Sequence, residues 1–331
     1  MDARLRRLVT PRRAVTTLAE TLTRAKWALG GLALMRVMYA VAALHLYLTN
    51  YTLRDELWGP GSVYPHESYR EIAVTPLTWA YTIATSAATF ELVFHIGILV
   101  AVAMLLGIGG RPTVVAHAFL HISLYLRNPL LMDGGDNIAH IALVFLCFVD
   151  SSSFLSWSWR SPVGRQGRIR AEVSNAIHNV ALIAIAFQVL VVYWASAMYK
   201  IQGRMWQDGV ALYYILRVPE FTWPGVSELV YENRWLVFAL TWTTVWFQLA
   251  FPPLILTQRF RVAILGAAVV FHLGIALLMN LWTFSIYMIG TEAVFLPSRL
   301  AARLPARRQI ARSRRLRPQE EVAHAARVGG L

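Results

Sequence analysis

Long apolar runs constrain this chain more than any other feature of its sequence. A helix needs about 20 apolar residues to cross the roughly 30 Å hydrocarbon core of a membrane. Eight apolar segments approach or reach that length, and they are Trp27–Leu48, Phe90–Gly107, Val114–Leu126, Ile138–Phe148, Ala176–Met198, Leu236–Leu256, Val262–Trp282 and Phe284–Leu296. The pattern predicts an all-α polytopic membrane bundle of about eight transmembrane helices.

Three of these segments are shorter than a full membrane span. Val114–Leu126 and Ile138–Phe148 have polar flanks, so we expect them to lie inside the bundle. Phe284–Leu296 contains Glu292, and the sequence leaves open whether it spans or is re-entrant. Composition supports the class, since 57% hydrophobic and only 15% charged residues lie outside the range of soluble globular proteins. A single cysteine, Cys147, excludes an intrachain disulfide and a cysteine-based metal cluster.

The basic residues indicate how the bundle is oriented. With a cytoplasmic N-terminus and eight spans, 23 of the 31 Lys and Arg residues fall on the inner side and 7 in outer loops. This bias follows the positive-inside rule and predicts cytoplasmic termini in a plasma membrane. We expect a basic segment 1–26 without a cleavable signal peptide, a membrane domain 27–297 and a disordered Arg-rich tail 298–331. The net charge of +13 then indicates anionic lipid at the cytoplasmic face as a partner, and no nucleic acid.

Ionisable residues at membrane depth are costly unless they are paired or face a polar cavity. Seven of the nine histidines fall in predicted spans. His117 and His121 are four residues apart and share one helix face, as hydrogen-bonded structural side chains or as ligands of a metal or haem. No metal is predicted, because cysteine and carboxylate partners at ligand spacing are missing. For Arg36 we expect a buried ion pair with Glu91 or Glu292.

Lys200 is the most unusual of the charged residues. The chain has only two lysines, Lys26 in the basic N-terminal segment and Lys200 at the end of a long apolar run. Burial there would favour the neutral amine, which is the form that acts as a base. The alternative is a lysine whose ammonium extends to the membrane surface.

The predicted topology brings several polar residues to one depth near the extracytoplasmic surface. The third span ends there, the fourth begins there and the fifth ends there, so four side chains are expected at similar depth: Arg127, Asp136, His140 and Lys200. Gly134 and Gly135 at a helix start let another group approach the backbone closely. Asp136 in the same place also suits a helix N-cap. We therefore predict a polar pocket that opens outward.

Three segments carry a resemblance to a known family. They are LRNPLLMDGGDNIAHIALVFLCFVD (126–150), QVLVVYWASAMYKIQGRMWQDGVALYYIL (188–216) and FHLGIALLMNLWTFSIYMIGTEAVFLP (271–297). The region from about Trp27 to Pro297 resembles the HTTM (horizontally transferred transmembrane) domain, which is shared with vitamin K-dependent gamma-carboxylases. The resemblance implies a reduced quinone, menaquinone or vitamin K-like, as cofactor and Lys200 as the base that deprotonates it. It assigns catalytic roles to Lys200, Asp136 and His140, and cofactor binding to Arg127, Asn128, Gly134, Gly135, Trp206 and Gly209.

The chain also departs from the carboxylase pattern. Gly134-Gly135-Asp136 stands where those enzymes have an Asn-Asn-His-like sequence, and Tyr199 stands before a single lysine where they often have a lysine pair. The chain ends shortly after the bundle, so we expect quinone chemistry without glutamate carboxylation. Sporulation-delaying-protein-B-like membrane proteins of bacterial toxin systems resemble the same domain. They imply the alternative, a non-catalytic accessory protein that helps process, export or give immunity to a secreted peptide or protein.

Overall fold

The computed structural model describes residues 11–72, 75–132, 134–158, 167–306 and 308–309, and the part of the chain it describes is a helical bundle. In chain order the helices are α1 (Pro11–Arg24), α2 (Leu29–Thr49), α3 (Arg54–Trp58), α4 (His66–Ile72), α5 (Trp79–Thr82), α6 (Ala87–Leu106), α7 (Arg111–Arg127), α8 (Gly134–Leu146), α9 (Arg168–Gln202), α10 (Arg204–Gln207), α11 (Ala211–Ile215), α12 (Glu228–Tyr231), α13 (Arg234–Leu256), α14 (Arg261–Met279), α15 (Trp282–Glu292) and α16 (Ser298–Ala301). Two-residue strands β1 (Trp157–Ser158) and β2 (Arg308–Gln309) pair in parallel.

The helical prediction is confirmed, because each predicted apolar segment overlaps one of these helices. Within the described residues, five helices are long and apolar enough to cross a membrane: α2, α6, α9, α13 and α14. The others, α7, α8 and α15, are shorter and pack among the long ones. The tail predicted after residue 297 begins as α16, which packs on α2, and its course beyond 309 lies outside the described residues.

Local sequence explains where the long helices begin and end. Ser86 and Thr89 form a reciprocal capping box at the start of α6, and Gly107 closes that helix with φ 68°. The side chain of Asn233 accepts hydrogen bonds from the first backbone N–H groups of α13. At 35 residues, α9 is roughly 50 Å long, which exceeds the hydrocarbon thickness. Its N-terminal part therefore extends past the bundle and supports α1.

The short helix α15 lies at the centre of the bundle, in contact with α2, α8, α9 and α14. Small residues make this close approach possible. A Cβ on Gly31 would lie 2.1 Å from the carbonyl oxygen of Ala293, and one on Gly290 would lie 2.8 Å from the Cβ of Met38. Backbones that come this close gain van der Waals contact without a large side chain between them. As a result, every residue from Tyr287 to Val294 except Ile289 is buried.

The expected ion pair of Arg36 with Glu91 or Glu292 is wrong. The buried guanidinium of Arg36 donates to five backbone carbonyls instead, those of Met104, Leu105 (3.0 Å), Ser151 (3.0 Å), Phe154 (3.5 Å) and Leu155 (2.6 Å). Two of these carbonyls end α6, where the last C=O groups of a helix lack intrahelical partners. A guanidinium has five N–H donors in a planar fork, so carbonyls alone can satisfy it.

The two glutamates of that prediction have other partners. Glu91 pairs with Arg54 at 2.8 Å and with His95 at 3.3 Å near the surface of the bundle. Glu292 bonds to His272 at 2.9 Å in the interior. The Arg54–Glu91 and His272–Glu292 pairs each join two different helices, which spacing within one helix does not reveal.

The end of α1 and the segment before α2 are held to α9 by several hydrogen bonds. Asn179 donates to the carbonyls of Leu22 (2.8 Å) and Ala25 (2.7 Å), and its Oδ1 accepts from the N–H of Trp27 (3.0 Å). His178 donates from Nε2 to the carbonyl of Trp27 at 2.9 Å, while its Nδ1 accepts from the N–H of Asp150 at 2.9 Å. These two partners require the neutral tautomer with its proton on Nε2.

Asp150 also pairs with Lys26 at 3.2 Å at this end of the bundle. Burial alone would raise the pKa of Asp150, but the Lys26 ammonium and the hydrogen bonds from Lys26 and from the Ser152 N–H outweigh it. The pKa of Asp150 is therefore held below its usual value, and the carboxylate links the loop after α8 to the start of α2.

Candidate functional site

Lys200 lies half-buried in the last turn of α9, and its partners are local. Its Nζ donates to Ser196 Oγ at 2.6 Å and lies 5.1 Å from the centre of the Trp206 ring. The chain reverses at Gly203, and α10 carries Trp206 back towards the helix end. In the described part of the chain, no carboxylate forms an ion pair with Lys200. The amine is therefore placed against an aromatic face and one hydroxyl.

Gly209 completes this loop and holds it against α13. Its φ of 71° is in the left-handed region that favours glycine. A Cβ at this position would lie 2.5 Å from the Phe238 ring and 3.1 Å from the indole nitrogen of Trp242. The structure thus brings three predicted residues together in one loop, Lys200, Trp206 and Gly209.

Arg127 and Asn128 use their donors to hold the segment between α3 and α4. Arg127 donates to the carbonyls of Tyr64 (2.8 Å) and Gly59 (3.0 Å), and its guanidinium lies 5.3 Å from the centre of the Tyr69 ring. Asn128 donates to the carbonyl of Leu57 at 2.9 Å. Both side chains are buried, and they fix the segment 57–64 as a cap over this end of the bundle.

The remaining predicted residues lie at the start of α8. Asp136 is buried in its first turn, Gly135 is buried beside it, and Gly134 is exposed with nothing within 4 Å of an added Cβ. The His140 ring lies one turn further along. Among the described residues, the Lys200 ammonium has its one hydrogen bond with Ser196, so neither Asp136 nor His140 bonds to it directly.

His140 belongs to a buried group that the sequence did not predict, the histidine–tyrosine cluster of His117, His121, Tyr125, His140 and Tyr287. The His140 ring lies edge-on to Tyr125 at 4.9 Å and to His121 at 5.9 Å. His121 Nε2 bonds to the Tyr287 hydroxyl at 2.7 Å, and the His117 and His121 rings stack at 5.1 Å. Among the described residues, His121 Nδ1 and His140 Nε2 are buried without a hydrogen-bond partner.

The spacing of His117 and His121 left a metal site open as one alternative. In the described part of the chain, no group of three or more His, Cys, Asp or Glu side chains has the arrangement of a metal site. The cluster lies between α7, α8 and α15, and the hydrogen bond between His121 and Tyr287 joins α7 to α15.

A second buried group joins α9, α14 and α15. The Tyr193 hydroxyl donates to Glu292 Oε1 at 2.5 Å and lies 2.9 Å from His272 Nε2, which is itself 2.9 Å from Glu292 Oε1. We call these three side chains the Tyr–His–Glu trio. His272 and Glu292 lie in predicted apolar segments, where ionisable residues are unusual, whereas Tyr193 carried no such signal, because tyrosine is common near membrane interfaces.

An apolar groove of about 500 Å³ lies between α13 and α14, below α11. Its lining includes Leu216, Thr244, Phe247, Gly266, Gly274 and Met279. The two glycines have open space where a side chain would be. The groove is wide enough for an acyl or isoprenoid chain, and its described lining is mostly apolar.

Comparison with known proteins adds one family and two relatives. The family model described as "HTTM domain" matches residues 30–299. The chain is similar to "Uncharacterized protein YitO" of Bacillus subtilis (strain 168), with 27% identity over 209 residues that cover 60% of this chain and 65% of that protein. It is also similar to "Sporulation-delaying protein SdpB" of the same organism, with 22% identity over 212 residues that cover 62% of this chain and 64% of that protein. Both matches span less than two thirds of the relative, and no solved structure matches.

Proposed function

The chain belongs to the HTTM domain family, and on that premise we propose that this membrane protein binds a reduced quinone and uses Lys200 as a base. The observation that carries the proposal is the setting of the amine. Lys200 is half-buried at a helix end, with a hydroxyl at 2.6 Å, an indole ring at 5.1 Å and no carboxylate partner among the described residues. A lysine without a counter-ion in such a place is suited to lose and regain a proton.

The residues of the chain fit a quinone in their chemistry. A reduced quinone supplies acidic hydroxyl groups, and Lys200 Nζ is the acceptor for one of their protons. Trp206 offers aromatic surface beside the amine, and Trp242 lies against Gly209 in the same loop. The groove between α13 and α14 has room for an isoprenoid tail. The indole face of Trp206 stabilises the ammonium once Lys200 is protonated, since a cation over a tryptophan ring is attracted by its quadrupole.

The other predicted site residues keep narrower roles in this proposal. Asp136 and His140, in the first turns of α8, orient the cofactor or stabilise charge, with Gly134 and Gly135 allowing close approach to the backbone. Arg127 and Asn128 act through the cap that they hold over the same end of the bundle. Ser196 positions the amine by accepting its hydrogen bond.

We also propose eight membrane-crossing segments, α2, α6, α7, α8, α9, α13, α14 and α15, with both termini in the cytoplasm of a plasma-membrane protein. The distribution of basic residues supports this orientation, because 23 of 31 then lie on the inner side. Anionic lipid headgroups would neutralise them there. Lys200 and the start of α8 then face the extracytoplasmic side.

A second function is favoured by the similarity to the sporulation-delaying protein of Bacillus subtilis. In this alternative the bundle is a non-catalytic accessory protein for a secreted peptide or protein. The half-buried Lys200 would then be a structural contact that anchors the loop after α9 through Trp206.

The experiment that separates the two functions uses the protein in lipid nanodiscs, supplied with reduced menaquinone and oxygen. Quinone epoxide is measured by mass spectrometry for wild type, Lys200→Ala and Lys200→Arg. Lys26→Arg is the matched control, because it changes the other lysine of the chain at the opposite end of the bundle. We expect epoxide from wild type and Lys26→Arg and none from either Lys200 variant.

Two results would contradict the proposal in different ways. Equal epoxide from Lys200→Arg would remove Lys200 as the base, because a guanidinium stays protonated. No epoxide from folded wild-type protein would favour the accessory function. Co-purification with a peptide encoded near the gene would then be the next measurement.

A further inference from the structure

The Tyr–His–Glu trio lies deep within the segments that cross the bundle. His272 is seven residues from the end of α14, which corresponds to roughly 10 Å along the helix. Glu292 is ten residues from the start of α15, or roughly 15 Å. Tyr193, His272 and Glu292 are at most 2% exposed. The group is therefore enclosed at a depth where charge is costly.

Aromatic side chains surround the trio. The Tyr193 ring stacks on Phe251 at 3.9 Å with an angle of 12° between the rings, and Phe247 lies edge-on to it at 5.8 Å. Phe271 and Phe284 flank the His272 ring at 5.2 and 5.8 Å. An environment of this kind solvates a net charge poorly, so the neutral trio is favoured and a charged state of it is costly.

The neutral trio can hold its protons in two arrangements. The Tyr193 proton occupies the 2.5 Å contact with Glu292 Oε1. The 2.9 Å contact between His272 Nε2 and Glu292 Oε1 needs a second proton, on either the nitrogen or the oxygen. A neutral trio contains either Glu292–COOH with neutral His272, or Glu292–COO⁻ with His272 doubly protonated. Removal of one proton from either form leaves a single uncompensated negative charge.

We propose that Tyr193, His272 and Glu292 form an intramembrane proton-binding site that takes up and releases one proton. The proton moves between Glu292 Oε1 and His272 Nε2 within the neutral state, while the Tyr193 hydroxyl donates to Oε1 in both arrangements. Release leaves the Glu292 carboxylate with neutral His272, and uptake restores the neutral trio. The site does not depend on Lys200 acting as a base.

The unpartnered atoms of the trio agree with an exchangeable proton. Among the described residues, His272 Nδ1 and Glu292 Oε2 are buried without a hydrogen-bond partner. A buried ion pair that serves structure alone is normally stabilised by hydrogen bonds to its remaining lone pairs and protons. Here the bonds concentrate on a single oxygen and a single nitrogen, where the proton is shared.

In the described part of the chain, the other titratable groups on the elements packed around the trio make no hydrogen bond to it. They are Arg36, Tyr39, His45 and Tyr47 on α2, Asp136 and His140 on α8, Arg168, Arg170, Glu172, His178, Tyr199 and Lys200 on α9, Arg234 on α13, Arg261 on α14 and Tyr287 on α15. Arg36 bonds to carbonyls, Tyr39 to Thr291, and Lys200 to Ser196. In the described part of the chain, the hydrogen bonds of Glu292 come from His272 and Tyr193.

Two spectroscopic signals of the full chain in nanodiscs test the proposal across a pH titration. Infrared difference spectra report the C=O stretch of a protonated glutamic acid, assigned by ¹³C labelling of glutamate, which requires no variant. ¹⁵N NMR of labelled histidine reports the protonation of His272, assigned by its loss in His272→Gln. We expect both signals to change at one common pH in wild type, with one proton released.

Glu292→Gln should abolish the infrared band and shift the pH at which His272 changes. Tyr287→Phe is the matched control, because it removes another buried hydroxyl of α15, one that bonds to His121. It should leave both signals at their wild-type pH. The proposal is overturned if wild-type protein shows no buried glutamic acid at any pH at which it is folded. It is also overturned if the band and the His272 signal stay constant over that whole range.

Discussion

Replacing Arg36 by methionine should be one of the most destabilising single changes in the bundle. The side chain keeps a similar length and loses all of its donors. In the described residues, the carbonyls of Leu105, Ser151 and Leu155 then lose the guanidinium as their hydrogen-bond partner, whereas that of Met104 keeps the N–H of Gly107. Hydrogen bonds to a charged group contribute about 1.5–3 kcal/mol each. Relief of the buried charge offsets part of this loss, so we expect a net cost of about 3–5 kcal/mol.

The assay is reversible unfolding in mixed micelles, followed by tryptophan fluorescence and far-UV circular dichroism. Arg54→Met is the matched control, since Arg54 forms an ion pair with Glu91 near the surface, where solvent screens the charges. The control should unfold close to wild type, and Arg36→Met should unfold at a clearly lower denaturant fraction. If both variants unfold together, or if Arg36→Met matches wild type, the carbonyl contacts do not stabilise the bundle as argued.

Three further predictions concern packing, pH and the N-terminal helix. Gly31→Ala should cost about 1–3 kcal/mol in the same unfolding assay, because its Cβ would lie 2.1 Å from a carbonyl oxygen after α15, whereas Gly266→Ala, in open space, should cost little. The pKa of Asp150 is held below its usual value, so its pairing with Lys26 stabilises the fold above the unfolded pKa of about 3.9 and loses that effect as the pH falls through the folded pKa. Asp150→Asn should therefore flatten the acid limb of a stability–pH curve. Asn179→Leu removes three hydrogen bonds that join α9 to the end of α1 and to the segment before α2. It should increase amide hydrogen exchange in α1 and leave exchange in α13 unchanged.

Hydropathy predicted the helices because helix formation in a membrane is decided segment by segment. Each run of apolar residues has to satisfy its own backbone hydrogen bonds, so its length and composition are sufficient to locate it. The observed helix ends differ from the predicted ones where a capping motif extends a helix. The first residue of α6 is Ala87 and not the predicted Phe90, because the capping box of Ser86 and Thr89 adds a turn.

Part of the candidate site could also be predicted from the sequence. Lys200, Trp206 and Gly209 lie within ten residues of one another, and a single chain reversal brings them into one loop. The trio could not be predicted in the same way. Tyr193 and Glu292 are separated by 99 residues, and only the packing of α9 against α15 reveals their contact.

The sequence by itself determined that this is a helical membrane-type chain, where its helices lie and which polar residues sit among apolar ones. These properties depend on the free energy of burying each segment, which is local. Only the tertiary structure decided the partners: Arg36 with helix-end carbonyls, Glu292 with His272 and Tyr193, and His140 with His121 and Tyr125. A buried donor can donate to any acceptor within reach. Its partner therefore depends on which helices pack together, and the packing of helices is set by the whole bundle.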